Sequence, residues 1–506
     1  AAMSTGELIK LPPILLDIAV GYVIYRLVRG WTWPGARSEA LGLAAAALYI
    51  FNPVSFHDSA LWGQTDAAGA LVVLLCVAAL IRGNSEGAAA LAASAALVKP
   101  QFGVVLIPLV AAVLIKRHLL RSGSGPRNRP WAPAGVATWL HGHQGPIRLL
   151  TAFVAAWAAF FIIALPFGMG PFEYLERMFG TAGGYGYLSV NAFNMWALVG
   201  LEGEPSLAEA LNWIDDTGGL IGPIPGVAVG ALLLVLGFLW GVARGAIRDD
   251  RWTLIAAATF LAIAFFILPT RVHERYIFPA IALMPLLAVV SGRWAVALLL
   301  LSVGAFINFH AILTLPLYGS ENVETLPLGA WFRTAPLVTA SALLQTGVGL
   351  WVAAQLRPSL RTSPDAFVDE AARRAGAVPA AQPTTPIPPS AGAAGHPAAP
   401  AAYPAAPMPE EPARPAGLLD LLAARLSWGS LRRDRSALLR FEPGGRIDRF
   451  DLLVLVVLVV LTISLRGYRL DQPVRMYFDE VYHCLLYTSP SPRDNDWYLV
   501  CRLLLE

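Results

Sequence analysis

The stretch VAVGALLLVLGFLWGV, from Val227 to Val242, contains no charged side chain, and the indole of Trp240 is its one polar group. An α-helix rises about 1.5 Å per residue, so a block of roughly 20 apolar residues crosses a hydrocarbon core about 30 Å thick. Comparable blocks recur along the whole 506-residue chain, of which 56% is hydrophobic and 14% is charged. This composition excludes an ordinary soluble domain and predicts an all-α, multi-pass transmembrane helical bundle.

The apolar blocks predict a bundle of about 11 to 12 spans. Several blocks are short for a full crossing, so we expect tilted or interfacial helices among them. The predicted spans are Leu11–Leu27, Ala40–Phe51, Ala67–Ile81, Ala88–Val98, Val104–Ile115, Leu149–Leu165, Val227–Val242, Trp252–Leu268, Ile277–Val290, Trp294–Leu313, Ala335–Ala354 and Leu452–Leu465.

Between the last two predicted spans the composition changes. From Pro358 to about Ala416 the chain is rich in alanine and proline, as in AAQPTTPIPPSAGAAGHPAAP. Such a segment has too few bulky apolar residues to form a core, which predicts a disordered linker over 358–448. This linker is expected to be cytoplasmic. The stretch Gly417–Arg440 is either a short basic amphipathic helix at the membrane surface or the solvated end of this linker.

The basic residues predict the orientation of the bundle. If the spans alternate, most loop arginines and lysines fall on one side, which the positive-inside tendency makes cytoplasmic. The polar motifs FHDSALWGQTD, VKPQF, GGYGYLSVNAFNMW, PTRVHERY and YFDEVYH then fall on the external side. The basic residues are Arg26, Arg29, Arg37, Arg82, Lys116, Arg117, Arg121, Arg127, Arg129, Arg148, Arg244, Arg248, Arg251, Arg293, Arg357 and Arg361.

The first external motif, FNPVSFHDSALWGQTD, carries Asp58, Trp62, Gln64 and Asp66 between two apolar blocks. Carboxylates at a membrane boundary are costly unless they are solvated or used, so these residues are candidates for a reactive site. The alternative is an interfacial loop with a tryptophan anchor and a helix N-cap at Thr65 or Asp66. The local pattern leaves both interpretations open.

The second motif, ALVKPQFGVV, places Lys99 and Gln101 between two helices that Pro100 separates. A lysine on the external side goes against the positive-inside trend, and a phosphate ligand would explain it. The alternative is a lysine that extends its side chain to the membrane surface.

The third motif, LPTRVHERYIFP, groups Arg271, His273, Glu274 and Arg275 between two membrane helices. Two guanidinium groups suit bidentate phosphate binding, and Glu274 is placed to hold one of them. The alternative is a plain salt bridge within the loop. His273 and Glu274 lack the HExxH spacing, so no zinc site is predicted.

The last motif, RLDQPVRMYFDEVYH, follows the final span and presents Asp479 and Glu480 near the membrane surface. A hydroxyl that attacks a sugar needs a carboxylate to remove its proton, and a departing phosphate needs cations. The alternative is a solvated pair of acids.

Together these motifs resemble the integral-membrane glycosyltransferases of the C-type fold (GT-C), which use polyprenyl-phosphate-linked sugars. The stretch from Asp17 through HDSALWGQTD, LVKPQ and HERYIFP to about residue 357 resembles the dolichyl-phosphate-glucose- or mannose-dependent branch. The resemblance implies that residues 1–357 form a membrane glycosyltransferase module without its N-terminal span and first external loop.

The segment 449–483 resembles the opening of the protein O-mannosyltransferase family, and this resemblance gives Asp479 the role of catalytic base. It implies the first span and acidic loop of a second, truncated module. Residues 484–506 contain CLLYTSPSPRD and YLVCRLLLE, which resemble translated sequencing-adaptor and primer sequences. The chain is therefore expected to carry a tail of 23 non-biological residues, which would pack against nothing.

The resulting hypothesis is a hexosyltransferase that moves mannose or glucose from a polyprenyl-phosphate carrier to a glycan or protein acceptor on the external face of the cell membrane. Asp58 and Asp66 would line the site, with Lys99, Arg271, His273 and Arg275 near the donor phosphate. No cofactor is certain, a divalent metal is left open, and no nucleic acid is expected as a partner. The rival hypothesis is a lipid-linked-sugar flippase or another multi-pass transporter.

Overall fold

The protein is described from a computed structural model. The structure describes residues 5–31, 36–120, 146–168, 170–176, 185–201, 203–314, 327–356 and 449–467. The predicted linker 358–448, the candidate acids Asp479 and Glu480, and the adaptor-like tail 484–506 lie outside the described residues.

The described chain is built almost entirely of helices, as predicted. Each of the predicted apolar blocks contains a helix, and most of these helices extend a few residues beyond the predicted bounds. They are α1 (Thr5–Trp31), α2 (Ala36–Ile50), α3 (Pro53–Leu61), α4 (Asp66–Ile81), α5 (Ser85–Val98), α6 (Pro100–Ile115), α7 (Pro146–Ala164), α8 (Gly226–Ile247), α9 (Arg251–Ile267), α10 (Phe278–Ala288), α11 (Gly292–Leu313), α12 (Ala335–Gln355) and α13 (Arg449–Gly467).

Within the described ranges, six helices are long and apolar enough to cross a membrane, and the bent pair α2 and α3 gives up to seven. Four further helices, α4, α5, α9 and the apolar part of α13, are shorter. The class of helical membrane protein is thereby supported, whereas the predicted total of 11 to 12 spans depends on these shorter helices. No sidedness follows from helix length and composition.

The core lies where the middle helices meet. All eleven residues of α10 are buried, and α9 is buried over most of its length. Close packing between α4 and α6 requires a glycine, because a Cβ at Gly69 would collide with the ring of Phe102. By contrast, α7 and α8 are each only 17% buried over their apolar windows, so they form the periphery of the bundle.

A break separates α2 from α3, and the two helices meet at an angle of 50°. Pro53 begins α3 and cannot donate a backbone hydrogen bond to α2. Asn52 caps the new helix, since its side-chain oxygen accepts a hydrogen bond from the Val54 backbone at 3.0 Å. The second half of α3, His57–Leu61, is wound as a π-helix, a form that often occurs at functional sites.

Residues 185–201 and 203–225, between α7 and α8, form a loop layer over one end of the bundle. It contains a short antiparallel hairpin of β1 (Gly219–Ile221) and β2 (Ile224–Pro225). Side chains from the bundle fasten its backbone: Asn308 accepts from Phe193 N at 2.9 Å and donates to Asn191 O at 2.8 Å. Gln345 donates to Phe193 O at 2.9 Å. These bonds satisfy irregular backbone that borders the apolar core.

The bundle therefore has two distinct ends. The motif end holds the loop layer, residues 62–66, Lys99 and the turn Glu274–Ile277. The basic end holds residues 82–85, Lys116–Leu120 and 248–250. Ser85 Oγ lies 2.8 Å from His118 Nε2, and Arg117 forms an ion pair with Asp249. The polar motifs quoted from the described sequence share one end, while the basic loops within the described residues share the other.

Helix α13 packs along α1. Its buried residues, Val454, Leu458, Thr462 and Arg466, recur every four positions and form one stripe, while most of its other described side chains are exposed. The helix that follows the predicted linker thus contacts the bundle formed by the earlier residues. Arg466 lies at the end of this stripe and is almost fully buried.

Candidate functional site

Asp66 is the centre of a polar cluster at the motif end. It is the first residue of α4 and is fully buried. Lys99 Nζ lies 2.9 Å from one carboxylate oxygen of Asp66, and Gln101 Nε2 donates to the other at 3.2 Å. Lys99 Nζ also contacts Gln64 Oε1 at 3.4 Å. Four residues from two separate motifs are thus brought together.

Local geometry explains why Lys99 reaches this cluster. Its backbone is extended between α5 and α6, and Pro100 begins the next helix. The ammonium group has three donors, of which Asp66 and Gln64 engage two. Its side chain is 21% exposed, so within the described structure the third donor is available to a ligand from outside.

Asp58 lies beside this cluster on the π-helical half of α3. It is fully buried, and neither of its carboxyl oxygens accepts a hydrogen bond from an N–H or hydroxyl group of the described residues. Its carboxyl group lies within hydrogen-bonding reach of Asp66, so the two acids can share a proton, and it is close enough to Lys99 and Arg275 to interact with them electrostatically. A buried acid without N–H or hydroxyl donors is costly, and such groups in native proteins call for an explanation. The interfacial-loop alternative fits poorly, because Asp58 is not solvated and Thr65 makes no capping hydrogen bond.

The turn before α10 supplies a cation from the third motif. Arg275 Nη1 lies 3.1 Å from Glu274 Oε1, and Arg275 is close enough to Asp58 to interact with it electrostatically. The next residue, Tyr276, stacks on Phe265 with ring centroids 5.8 Å apart. Burial raises the pKa of Tyr276 to about 12, so its phenol stays protonated at neutral pH and can donate a hydrogen bond.

His273 belongs to the edge of the site. Its backbone forms bridges with residues of the loop layer, and its ring lies 5.0 Å from Tyr185 and 5.4 Å from Tyr276. This places an imidazole and two phenol rings between the loop layer and the Arg275 side of the cluster. The arrangement offers aromatic faces and polar ring atoms to a ligand at the motif end.

Arg271 is the predicted site residue that the structure holds apart from the cluster. Its Nε and Nη2 donate to the two oxygens of buried Asp216 at 2.8 and 2.9 Å. The hydrogen bonds from Arg271 raise its own pKa, and Thr270 also donates to Asp216 at 2.8 Å. The partner of Arg271 lies outside its own motif, and this bidentate pair already uses its guanidinium. The salt bridge within the motif is the one between Arg275 and Glu274.

Trp62 and His57 flank the π-helical turn on the side of α11. The Trp62 indole is buried and meets Phe309 edge to face, with centroids 5.9 Å apart. His57 Nε2 lies 3.0 Å from His310 Nδ1, and His57 Nδ1 lies 2.9 Å from the Pro53 carbonyl. Through these contacts Trp62 and His57 hold the Asp58 turn against α11, and the Trp62 ring packs on the core.

Sequence reasoning missed two polar side chains next to this site. Asp17 lies on α1 and is fully buried, and Arg466 lies on α13 and forms an ion pair with it. A single acid within an apolar span was the available signal, because ionisable residues inside membranes are usually functional. Asp17 was noted only as the start of the family resemblance.

Among the described residues there is no group of three or more histidines, cysteines, aspartates or glutamates that could hold a metal ion. A divalent metal shared by Asp58 and Asp66 stays a prediction. No protein-family model and no curated protein matches this chain.

Proposed function

We propose that the protein is a membrane hexosyltransferase that moves mannose or glucose from a polyprenyl-phosphate carrier to a glycan or protein hydroxyl at the motif end. The observation that supports this most is the buried Asp58 carboxyl group, which accepts no N–H or hydroxyl hydrogen bond within the described residues and lies beside Asp66, Lys99 and Arg275. A base next to two cations suits a reaction in which a hydroxyl loses a proton while a phosphate departs.

The proposed reaction is a substitution at the anomeric carbon. The acceptor oxygen forms a bond to C1 of the sugar, and Asp58 takes the hydroxyl proton. The bond from C1 to the phosphate oxygen breaks, and its electron pair stays on the polyprenyl phosphate. Lys99 and Arg275 stabilise the negative charge of the leaving phosphate. In this scheme Asp66, Gln64 and Gln101 hold the Lys99 ammonium in place.

The proposed orientation puts the motif end outside the cell. The loop cations at the opposite end support a cytoplasmic position for it, and the short apolar helices would complete a bundle of about 11 to 12 crossings. The site then lies at the level where a carrier embedded in the membrane presents its phosphate. The GT-C fold and the second, protein O-mannosyltransferase-like module remain part of this proposal.

Lipid-linked-sugar transport is the second candidate, and the break between α2 and α3 is the observation that favours it. Transporters often place their substrate sites on helices that are interrupted within the membrane. Here the break is bent by 50° and carries the buried Asp58 on its second half. The candidate site lies towards one end, however, which suits headgroup chemistry better than passage across the bilayer.

The two functions are separated by one experiment on the full chain in proteoliposomes. Polyprenyl-phosphate mannose and polyprenyl-phosphate glucose, radiolabelled in the sugar, are supplied together with short glycan and peptide acceptors. Transfer predicts label in the water-soluble acceptor and release of unglycosylated polyprenyl phosphate. Transport predicts intact labelled carrier in the opposite leaflet and no labelled acceptor.

Asp58→Asn is the test variant and Asp215→Asn is its matched control. Both exchange an acid for its amide at the motif end, but Asp215 is exposed and lies outside the cluster. We expect Asp58→Asn to lose transfer while Asp215→Asn keeps it. Full transfer by Asp58→Asn would overturn the proposed role of the carboxylate, and carrier movement without transfer would favour the transporter.

A further inference from the structure

The break between α2 and α3 leaves backbone groups in need of partners. The last carbonyl groups of a helix have no partner within that helix, and in a membrane water cannot replace one. Ser55 meets part of this need, since its hydroxyl lies 2.7 Å from Tyr49 O and 3.0 Å from Asn52 O and can donate its one hydrogen to either carbonyl. Asn52 Nδ2 donates to Ser302 on α11 at 2.8 Å.

Arg466 of α13 reaches the same break. Its Nη2 donates to the Ile50 carbonyl at the end of α2, at 3.1 Å, and to Ser55 Oγ at 2.9 Å. Its Nη1 donates to Ser59 Oγ at 2.5 Å and approaches the Ser55 carbonyl at 3.4 Å. One guanidinium thus spans the end of one helix and two successive turns of the next.

Asp17 balances the charge of Arg466. The two form an ion pair inside the bundle, and the Tyr49 hydroxyl donates to Asp17 Oδ1 at 2.5 Å. A buried arginine or aspartate alone would be strongly destabilising, while a pair with further hydrogen bonds is tolerated. The pair therefore links α1, α13 and the break into one polar network.

We infer that Arg466 is a positioning residue for Asp58 and that α13 therefore belongs to the same site. The ion pair between Arg466 and Asp17 holds α13 in that position. This inference rests on the proposed function for its kinetic consequence. Ser59 directly follows Asp58 in the chain, so the bond from Arg466 to Ser59 fixes the turn that carries the candidate base. Arg466 itself touches none of the residues proposed to bind the phosphate among its described contacts.

The planar guanidinium explains why an arginine occupies this position. It presents several donors in a fixed fork, whereas a lysine presents one point charge. A lysine at position 466 would still neutralise Asp17 but would not reach the Ile50 carbonyl, Ser55 and Ser59 together. The network is therefore specific for geometry as well as for charge.

The docking of α13 is tested first, without any need for activity. A protease site is inserted into the Ala/Pro-rich stretch 380–405 of the full chain, which carries tags at both ends. After cleavage in mild detergent, the piece that contains α13 is expected to stay with the rest of the protein. Arg466→Met and Asp17→Asn are expected to release most of it.

Arg244→Met is the matched control for this release. Arg244 lies near the end of α8, with its Cζ 4.3 Å from the centroid of the Trp240 ring. Arg244→Met therefore removes the same charge as Arg466→Met, but at a position away from the break. We expect it to retain the α13 piece as the unchanged chain does. Equal retention in Arg466→Met would overturn the docking role of the arginine.

The positioning role is tested by transfer kinetics on the uncut protein. A misplacement of about 1 Å can cost about 10²-fold in rate, so we expect Arg466→Met to lower kcat about 10- to 100-fold with little change in KM for the carrier. Arg466→Lys should give an intermediate kcat. An unchanged kcat per folded molecule would reduce Arg466 to a purely structural residue and overturn the inference.

The two parts fail in distinguishable ways. One outcome is that the unchanged chain transfers no sugar, while α13 is released from the Asp17 and Arg466 variants and not from the unchanged chain. The proposed function then falls and the docking stands. If the unchanged chain transfers sugar and the Arg466 variants do so equally well, the function stands and the positioning role falls.

Discussion

The basic end and the motif end of the bundle each contain an acid that is buried or partly buried. The two acids, Asp249 and Asp58, differ in the hydrogen bonds that their carboxyl oxygens accept. At the basic end, Asp249 receives Lys116 Nζ at 2.7 Å on one oxygen and Arg117 Nε at 2.6 Å on the other. Arg117 also donates to the Leu80 carbonyl at 2.7 Å. At the motif end, Asp58 receives no N–H or hydroxyl hydrogen bond from the described residues, and its neighbour within hydrogen-bonding reach is a second acid, Asp66.

This difference favours a structural role for Asp249 and supports the functional role proposed for Asp58. A carboxylate with a cation on each oxygen is already satisfied and serves to fasten the ends of helices. A buried carboxylate without donors destabilises the resting fold and becomes satisfied only when a ligand supplies a hydrogen. Functional sites commonly trade stability for activity in this way. The comparison therefore predicts opposite responses to the same acid-to-amide exchange at the two ends.

The largest expected effect is at Asp58. Asp58→Asn should lower the transfer rate about 10²- to 10⁴-fold, the usual contribution of a general base. It should also raise the free energy of unfolding by about 1 kcal/mol, since an amide can donate a hydrogen bond to Asp66 and no longer competes with it as a second buried acid. Transfer assays and thermal unfolding in detergent measure the two effects. A loss of both activity and stability would place Asp58 among the structural acids.

Lys99→Met is expected to have the next largest effect. It removes one of two proposed phosphate ligands, which should lower kcat/KM for the carrier about 10²-fold. Unlike the change at Asp58, it should also destabilise the fold, because Asp66 stays buried without its cation. Lys99→Arg, which keeps the charge, serves as the control and should recover part of both losses. Normal transfer by Lys99→Met would remove Lys99 from the phosphate site.

Much of the candidate site followed from the sequence because its residues belong to short motifs at the ends of apolar helices. Asp66 contacts Lys99 and Gln101, which lie 33 and 35 residues further along the chain, and these contacts join two motifs. When successive helices alternate in direction, every second connection lies at the same end of the bundle. The helices themselves followed from apolar blocks, which leave the backbone no other way to satisfy its hydrogen bonds in lipid.

The contacts that could not be predicted from the sequence involve residues that no periodic sequence pattern places. Asp216, the partner of Arg271, lies in an irregular loop layer whose path no helical or strand pattern predicts. Asp17 and Arg466 form an ion pair although they lie near opposite ends of the sequence. The apolar pattern does not define how their two helices are placed relative to each other. The π-helical turn at Asp58 was also missed, because its sequence gives no distinct signal.

A smaller effect, on stability alone, is expected at the basic end. Burial acts to raise the pKa of Asp249, but the hydrogen bonds and charges of Arg117 and Lys116 outweigh it and lower that pKa. A group whose pKa falls on folding stabilises the fold above its unfolded pKa, and that stabilisation is lost as the pH falls through its folded pKa.

Asp249→Asn should therefore lower the free energy of unfolding at pH 7 by about 1 to 2 kcal/mol, less than for a fully buried pair because the site is partly exposed. The difference from the unchanged chain should shrink as the pH falls below the ordinary range of an aspartate. Transfer per folded molecule should stay the same. Thermal unfolding at several pH values measures this, and a difference that grew on acidification would contradict the assigned pair.

The smallest effect is expected at Asp215, which shares the motif end with Asp58 but not its surroundings. Hydrogen bonds from the hydroxyl and backbone of Thr217 lower the pKa of Asp215, and its side chain is exposed to solvent. Asp215→Asn should change neither transfer nor the unfolding temperature measurably, because water replaces what the amide loses. A large loss of transfer would mean that position at this end, rather than burial without donors, marks the functional acids.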